Sequence, residues 1–69
     1  MNPMKFGMAM SEQRMKSGYE QKQLAAKVGV SRETMNNIET GLYFPRLPIM
    51  VALCKAMGCS IDSIVEKAK

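Results

Sequence analysis

Sixty-nine residues carrying ten Lys plus Arg, six Asp plus Glu and no histidine make a small basic chain of net charge +4. One domain spanning 1–69 is expected, and at this size it buries only about 60% of its unfolded surface, too little for a binding face and a ligand pocket of ordinary size together. The charge favours a polyanion as partner, while the lack of histidine, of a Gly-rich phosphate loop and of a confined carboxylate pair argues against an enzyme or a bound cofactor.

Asn2 and Pro3 mark a start, and Phe6, Met10 and Arg14 recur every four residues on one face of a first helix reaching about Ser17, where Gly18 ends it. The next stretch, 21–40, reads QKQLAAKVGVSRETMNNIET. Leu24, Ala25 and Val28 form one apolar stripe, and Gly29 stops that helix because it can adopt a positive φ. Val30 fills the bend, Ser31 caps the following helix, and Met35 and Ile38 return to the core three residues apart. Two short helices meeting at a tight turn in this way are expected to form a helix-turn-helix that binds DNA. The polar face opposite, with Arg32, Glu33, Asn36 and Asn37, carries groups that pair with guanine, adenine and cytosine edges in a major groove. Polarity alone would equally suit a solvated helix; the turn chemistry is what favours base readout.

Gly41 to Arg46, GLYFPR, reads as a loop in which Pro45 pushes Phe44 out of helical geometry. A fourth helix is predicted from about Leu47 to Met57, with Pro48 in its first turn, an inward stripe of Leu47, Met50, Leu53, Cys54 and Met57, and Gly58 as its stop. Ser60 caps a fifth helix with Ile61, Ile64 and Val65 on its apolar side and Lys67 and Lys69 at the negative end of its dipole. No strand pattern or repeat is present, so the expected class is all-α. Cys54 and Cys59, five apart with no histidine near, suit small core fillers and not a zinc site. No signal-peptide order and no apolar run near the roughly 20 residues of a membrane span occur, which makes a cytoplasmic location the expectation.

Arg14, Gly18, the series Gln21, Leu24, Ala25, Val28, Gly29, Val30, Ser31, Thr34, Met35, Ile38, Glu39 and Gly41, then Tyr43, Pro45 and LCKAMGCSIDSIV, stand in a specific order. Over nearly the whole chain, from about Phe6 to Val65, this order resembles the Cro/CI-type, or XRE-like, helix-turn-helix regulators. The resemblance implies a compact five-helix, lambda-repressor-like DNA-binding domain with the helix-turn-helix at helices 2 and 3. It implies a structural ion pair between Arg14 and Glu39, which would fix the angle between two helices. It also implies that Gln21 and the start of its helix meet a phosphate, that Ser31, Arg32, Glu33, Asn36 and Asn37 face bases or nearby backbone, and that Lys22, Tyr43 and Arg46 meet flanking phosphates.

Three positions depart from the family pattern. Glu20 stands where Ser or Thr usually caps, Leu42 replaces a residue that is often basic, and Glu33 replaces a frequent glutamine, so a glutamine's adenine preference does not carry over. Of the eight methionines, Met10, Met35, Met50 and Met57 fall on inward positions, whereas Met1, Met4, Met8 and Met15 are expected to be partly exposed. Ile49 and Ala52, together with Ile61 and Val65 of the last helix, offer apolar surface for a homodimer contact. The function implied is a sequence-specific double-stranded DNA-binding transcriptional regulator, a repressor acting as a dimer on a palindromic operator, without a small-molecule ligand. An activator of the same fold and an antitoxin-like protein-interaction module are the alternatives.

Overall fold

A computed structural model describes residues 1–69 as five helices, α1 (Pro3–Lys16), α2 (Gln21–Val28), α3 (Arg32–Glu39), α4 (Leu47–Met57) and α5 (Ile61–Lys67), with no strand. Their starts are chemically marked. Asn2 Oδ1 accepts from the Lys5 N–H at 2.8 Å, Ser31 Oγ from the Thr34 N–H at 3.0 Å and Ser60 Oγ from the Ser63 N–H at 3.1 Å. Glu20, the residue expected to cap poorly, forms a capping box with Gln23, whose Oε1 accepts from the Glu20 N–H at 2.9 Å.

Phe6, Met10, Leu24, Met35, Ile38, Leu53 and Ile64 are the largest fully buried side chains and draw on all five helices. The core therefore sits where α1, α3 and α5 meet the α2–α4 pair, and burial of each such side chain contributes roughly 1.5–3 kcal/mol. Phe6 also meets the Phe44 ring edge-on, with centroids 5.6 Å apart, which anchors the α3–α4 loop on α1. One expectation fails: Leu47 is 65% exposed and does not join the inward stripe. It is the first residue of α4, about 10 Å along the axis from Leu53 and Cys54, so its turn projects past the neighbouring helices. Met50 and Ile49 pack on the rim of the core in its place.

Two close approaches position the elements around the later site. A Cβ on Gly7 would stand 2.5 Å from the carbonyl oxygens of both Ile38 and Glu39, so α1 rides directly on the last turn of α3. A Cβ on Gly41 would meet the Met4 Cα at 2.6 Å, and the residue also holds φ +83°.

At the end of α4, Gly58 donates to the Lys55 carbonyl at 3.3 Å and Cys59 to the Cys54 carbonyl at 3.0 Å, the two bonds of a Schellman stop. Cys54 and Cys59 are thus the apolar pair that accompanies such a stop. Cys54 is buried and Cys59 half-buried, and burial first, with Cys59 adjoining, pushes the Cys54 thiol up to about 11. No single helix is long and apolar enough to cross a membrane.

Candidate nucleic-acid interface

The angle between α2 and α3 is set by a turn of few residues. Gly29 sits at φ 81°, Val30 donates back to the Ala25 carbonyl at 3.0 Å and half-buries its side chain against the core. Leu24 and Ala25 of α2 and Met35 and Ile38 of α3 are buried on the inner side. That leaves the outer side of α3 free, where Arg32, Glu33 and Asn36 are exposed and Asn37 is half-buried.

A buried charge pair stands behind this face. Arg14 Nε donates to Glu39 Oε2 at 2.7 Å and Nη2 to Glu39 Oε1 at 3.1 Å, while Nη1 donates to the Tyr19 carbonyl at 2.8 Å. Side-chain exposures of 13% and 4% make this bidentate pair a largely buried joint between α1 and α3. Gln21, the first residue of α2, extends the joint outward. Its Nε2 donates to Glu39 Oε1 at 3.1 Å and to Asn36 Oδ1 at 3.3 Å.

Chemistry settles the orientation of these amides. A carboxylate at Glu39 accepts only, so the Gln21 group facing it is the NH2, whose second hydrogen requires the oxygen of Asn36. Asn36 consequently turns its Nδ2 hydrogens away from α2, toward whatever meets α3. Both Nε2 hydrogens of Gln21 are engaged within the chain, which leaves the unpaired backbone N–H groups at the start of α2 as the free donors there.

Three polar or mixed concavities lie along this side. Gln21, Arg32, Glu33 and Asn36 line one; Arg14, Glu20, Gln21, Lys22 and Arg32 line a second; Thr34, Tyr43 and Arg46 share the third with Ile38, Phe44, Pro45 and Ile49. The first two contain no hydrophobic lining residue. A helix-turn-helix family model matches residues 10–64, which span the α2–α3 pair and the elements packed behind it. The chain belongs to the XRE-type helix-turn-helix family.

Relatives of this XRE-type chain are named as HTH-type transcriptional regulators. It is 36% identical over 55 residues, 80% of this chain and 83% of the relative, to the HTH-type transcriptional regulator YgzD of Bacillus subtilis. An HTH-type transcriptional regulator of Methanocaldococcus jannaschii is 43% identical over 44 residues, 64% of this chain and 67% of its own. One from Archaeoglobus fulgidus is 38% identical over 53 residues, 77% and 76% of the two chains. In fold it superposes on the clp gene regulator ClgR of Corynebacterium glutamicum with a TM-score of 0.91 over 96% of this chain and 85% of that one, at 23% identity. Family and fold are those of DNA-binding transcriptional regulators and not of enzymes.

Within this XRE-type frame the structure brings Gln21, Lys22, Arg32, Glu33 and Asn36 onto one continuous side, with Tyr43 and Arg46 at its α4 end. Ser31 is occupied as the cap of α3, and half-buried Asn37 lines none of the three concavities. Thr34 was not singled out for the site, yet it shares the concavity with Tyr43 and Arg46. Its position two residues into α3 from Arg32, pointing toward the loop, was the available signal. Ile49, Ala52, Ile61 and Val65 are each half-buried, and Ile49 and Ile61 pack on this chain's own core.

Proposed function

We propose that this chain is a sequence-specific double-stranded DNA-binding transcriptional regulator acting in the cytoplasm as a single helix-turn-helix domain, and that it represses by occupying a palindromic operator as a dimer. The observation that carries this reading is the all-polar concavity where Gln21 of α2 meets Arg32, Glu33 and Asn36 of α3. Arg32 and Glu33, in the first turn of α3, stand where a recognition helix entering a major groove presents its base-reading side chains. Arg32 is suited to guanine N7 and O6, Glu33 to the cytosine amino group, and Asn36 to an acceptor on a base edge or phosphate. Lys22, Tyr43 and Arg46 flank that helix as phosphate contacts, positioning the chain without reading sequence. Repression is the sign of regulation proposed, since a domain seated on a promoter blocks it by occupancy. No cofactor or small-molecule effector is part of the proposal.

Selection of bound sequences from a random double-stranded pool at near-physiological salt tests it, because specific and non-specific binding separate there. An inverted repeat with half-sites about 34 Å apart is expected, and Arg32→Ala with Asn36→Ala should erase the motif while the helical content stays intact. Weak, salt-labile binding with no shared motif would transfer the function to protein–protein contact, as in an antitoxin.

A further inference from the structure

The outward face of α1 is unusual for a chain of this size. Met4, Met8 and Met15 are 61–67% exposed, and Met1, just ahead of the helix, is 60% exposed. At about 100° per residue the three helical methionines fall within an arc of about 40°, roughly opposite Phe6 and Met10, which face the core. Met4 backs onto Gly41 of the α3–α4 loop along one edge; the rest of the stripe is uncovered and lines none of the three concavities. Long apolar side chains in such a line mark an interaction surface, and methionine, unbranched and polarizable, adapts to a partner of its own kind.

The spacing 1, 4, 8, 15 is that of alternate a and d positions of a heptad, with Ser11 as the small residue completing the series. Lys5 and Glu12 then take successive e positions along one flank. Both are exposed, and neither belongs to an ion pair within the chain, where the pairs are Arg14–Glu39 and Lys69–Glu66. The g positions are Gly7 and Arg14, which face this chain's own α3.

We propose that α1 pairs antiparallel, about a two-fold axis, with α1 of a second copy of this chain. In a parallel pair e would face g, and g is turned inward, leaving Lys5 and Glu12 without partners. In an antiparallel pair e faces e, so Lys5 of one copy meets Glu12 of the other, and the symmetry supplies the contact twice. Met4 then stacks on Met15 of the second copy and Met8 on its Ser11, a small residue that admits the longer side chain. The seam is only about two heptads long and falls short of the roughly 1,200 Å² of a standard interface, so the pairing is a weak one, micromolar or above. The DNA-facing residues of α2 and α3 lie outside it.

Analytical ultracentrifugation without DNA tests this independently of the DNA-binding reading. The wild-type chain should self-associate with increasing concentration. Met8→Glu should weaken the dimer more than tenfold, and Lys5→Glu about tenfold, since it sets like charges opposite each other twice. The double variant Lys5→Glu with Glu12→Lys should return to near the wild-type constant. All of these positions are exposed, and circular dichroism verifies that each variant keeps its helices. A chain that stays monomeric to millimolar concentration overturns the proposal. So does failure of the charge swap to rescue, or a dimer abolished by Ala52→Glu but indifferent to Met8→Glu, which would place the contact on α4 and α5.

Discussion

The side chains of Arg14, Glu39, Gln21 and Asn36 form a chain of contacts from the core to the surface proposed to face DNA, and each link makes a separate prediction. Removing one partner of the buried pair leaves a charge short of water, at about 3–5 kcal/mol. Glu39→Ala should therefore lower the urea midpoint sharply, whereas replacing both Arg14 and Glu39 with Met should recover much of the loss; if the single change is neutral, the pair is not a joint. Further out, Gln21 keeps the Asn36 amide turned with its donors outward. Gln21→Ala frees that amide, so discrimination at the base pair facing Asn36 should weaken about as much as in Asn36→Ala. Because both changes act on one interaction, their effects on binding to the preferred and the altered site should not add. Full additivity in that double-mutant cycle would mean that Gln21 and Asn36 act separately.

The helices themselves were largely readable before the fold was known. Gly18, Gly29, Gly41 and Gly58 all hold positive φ where stops were expected, and Asn2, Ser31 and Ser60 cap through their side chains. These signals are local, acting within three or four residues, and local chemistry is what a single sequence displays. What escaped it depends on contacts between elements. Leu47 has the right spacing for the core but stands on a turn that no other helix covers, and the Gln21–Asn36 bond joins residues 15 apart on two helices. Gly7 is the clearest case, since in sequence it is an ordinary weak point of a helix, worth about 1 kcal/mol against Ala. In the fold, a Cβ there meets α3 backbone carbonyls at 2.5 Å, which cannot swing aside as a side chain would. Gly7→Ala should thus destabilise the protein by about 1–3 kcal/mol despite its better helix propensity, as read from denaturant melts. A stabilised variant would show that α1 and α3 are free to separate at that point.

Across the whole molecule, the net charge of +4 is distributed so that Lys22, Arg32 and Arg46 border the side proposed to face DNA, interrupted by Glu20 and Glu33. A polyanion held by such a side releases counterions on binding, and the logarithm of the association constant falls with the logarithm of salt by about 0.9 per phosphate neutralised. Residues that position and residues that read are therefore separable by experiment. Arg46→Ala should weaken all sequences alike and leave the preferred motif unchanged, while Arg32→Ala should alter the motif. The size of the change also counts copies. If two chains occupy one operator, losing Arg46 removes two phosphate contacts per complex and the salt slope should fall by about 1.8; for a single bound chain it should fall by about 0.9. Titrations of a fluorescent operator across a salt series resolve that difference, and a slope unchanged by Arg46→Ala would remove this residue from the interface altogether.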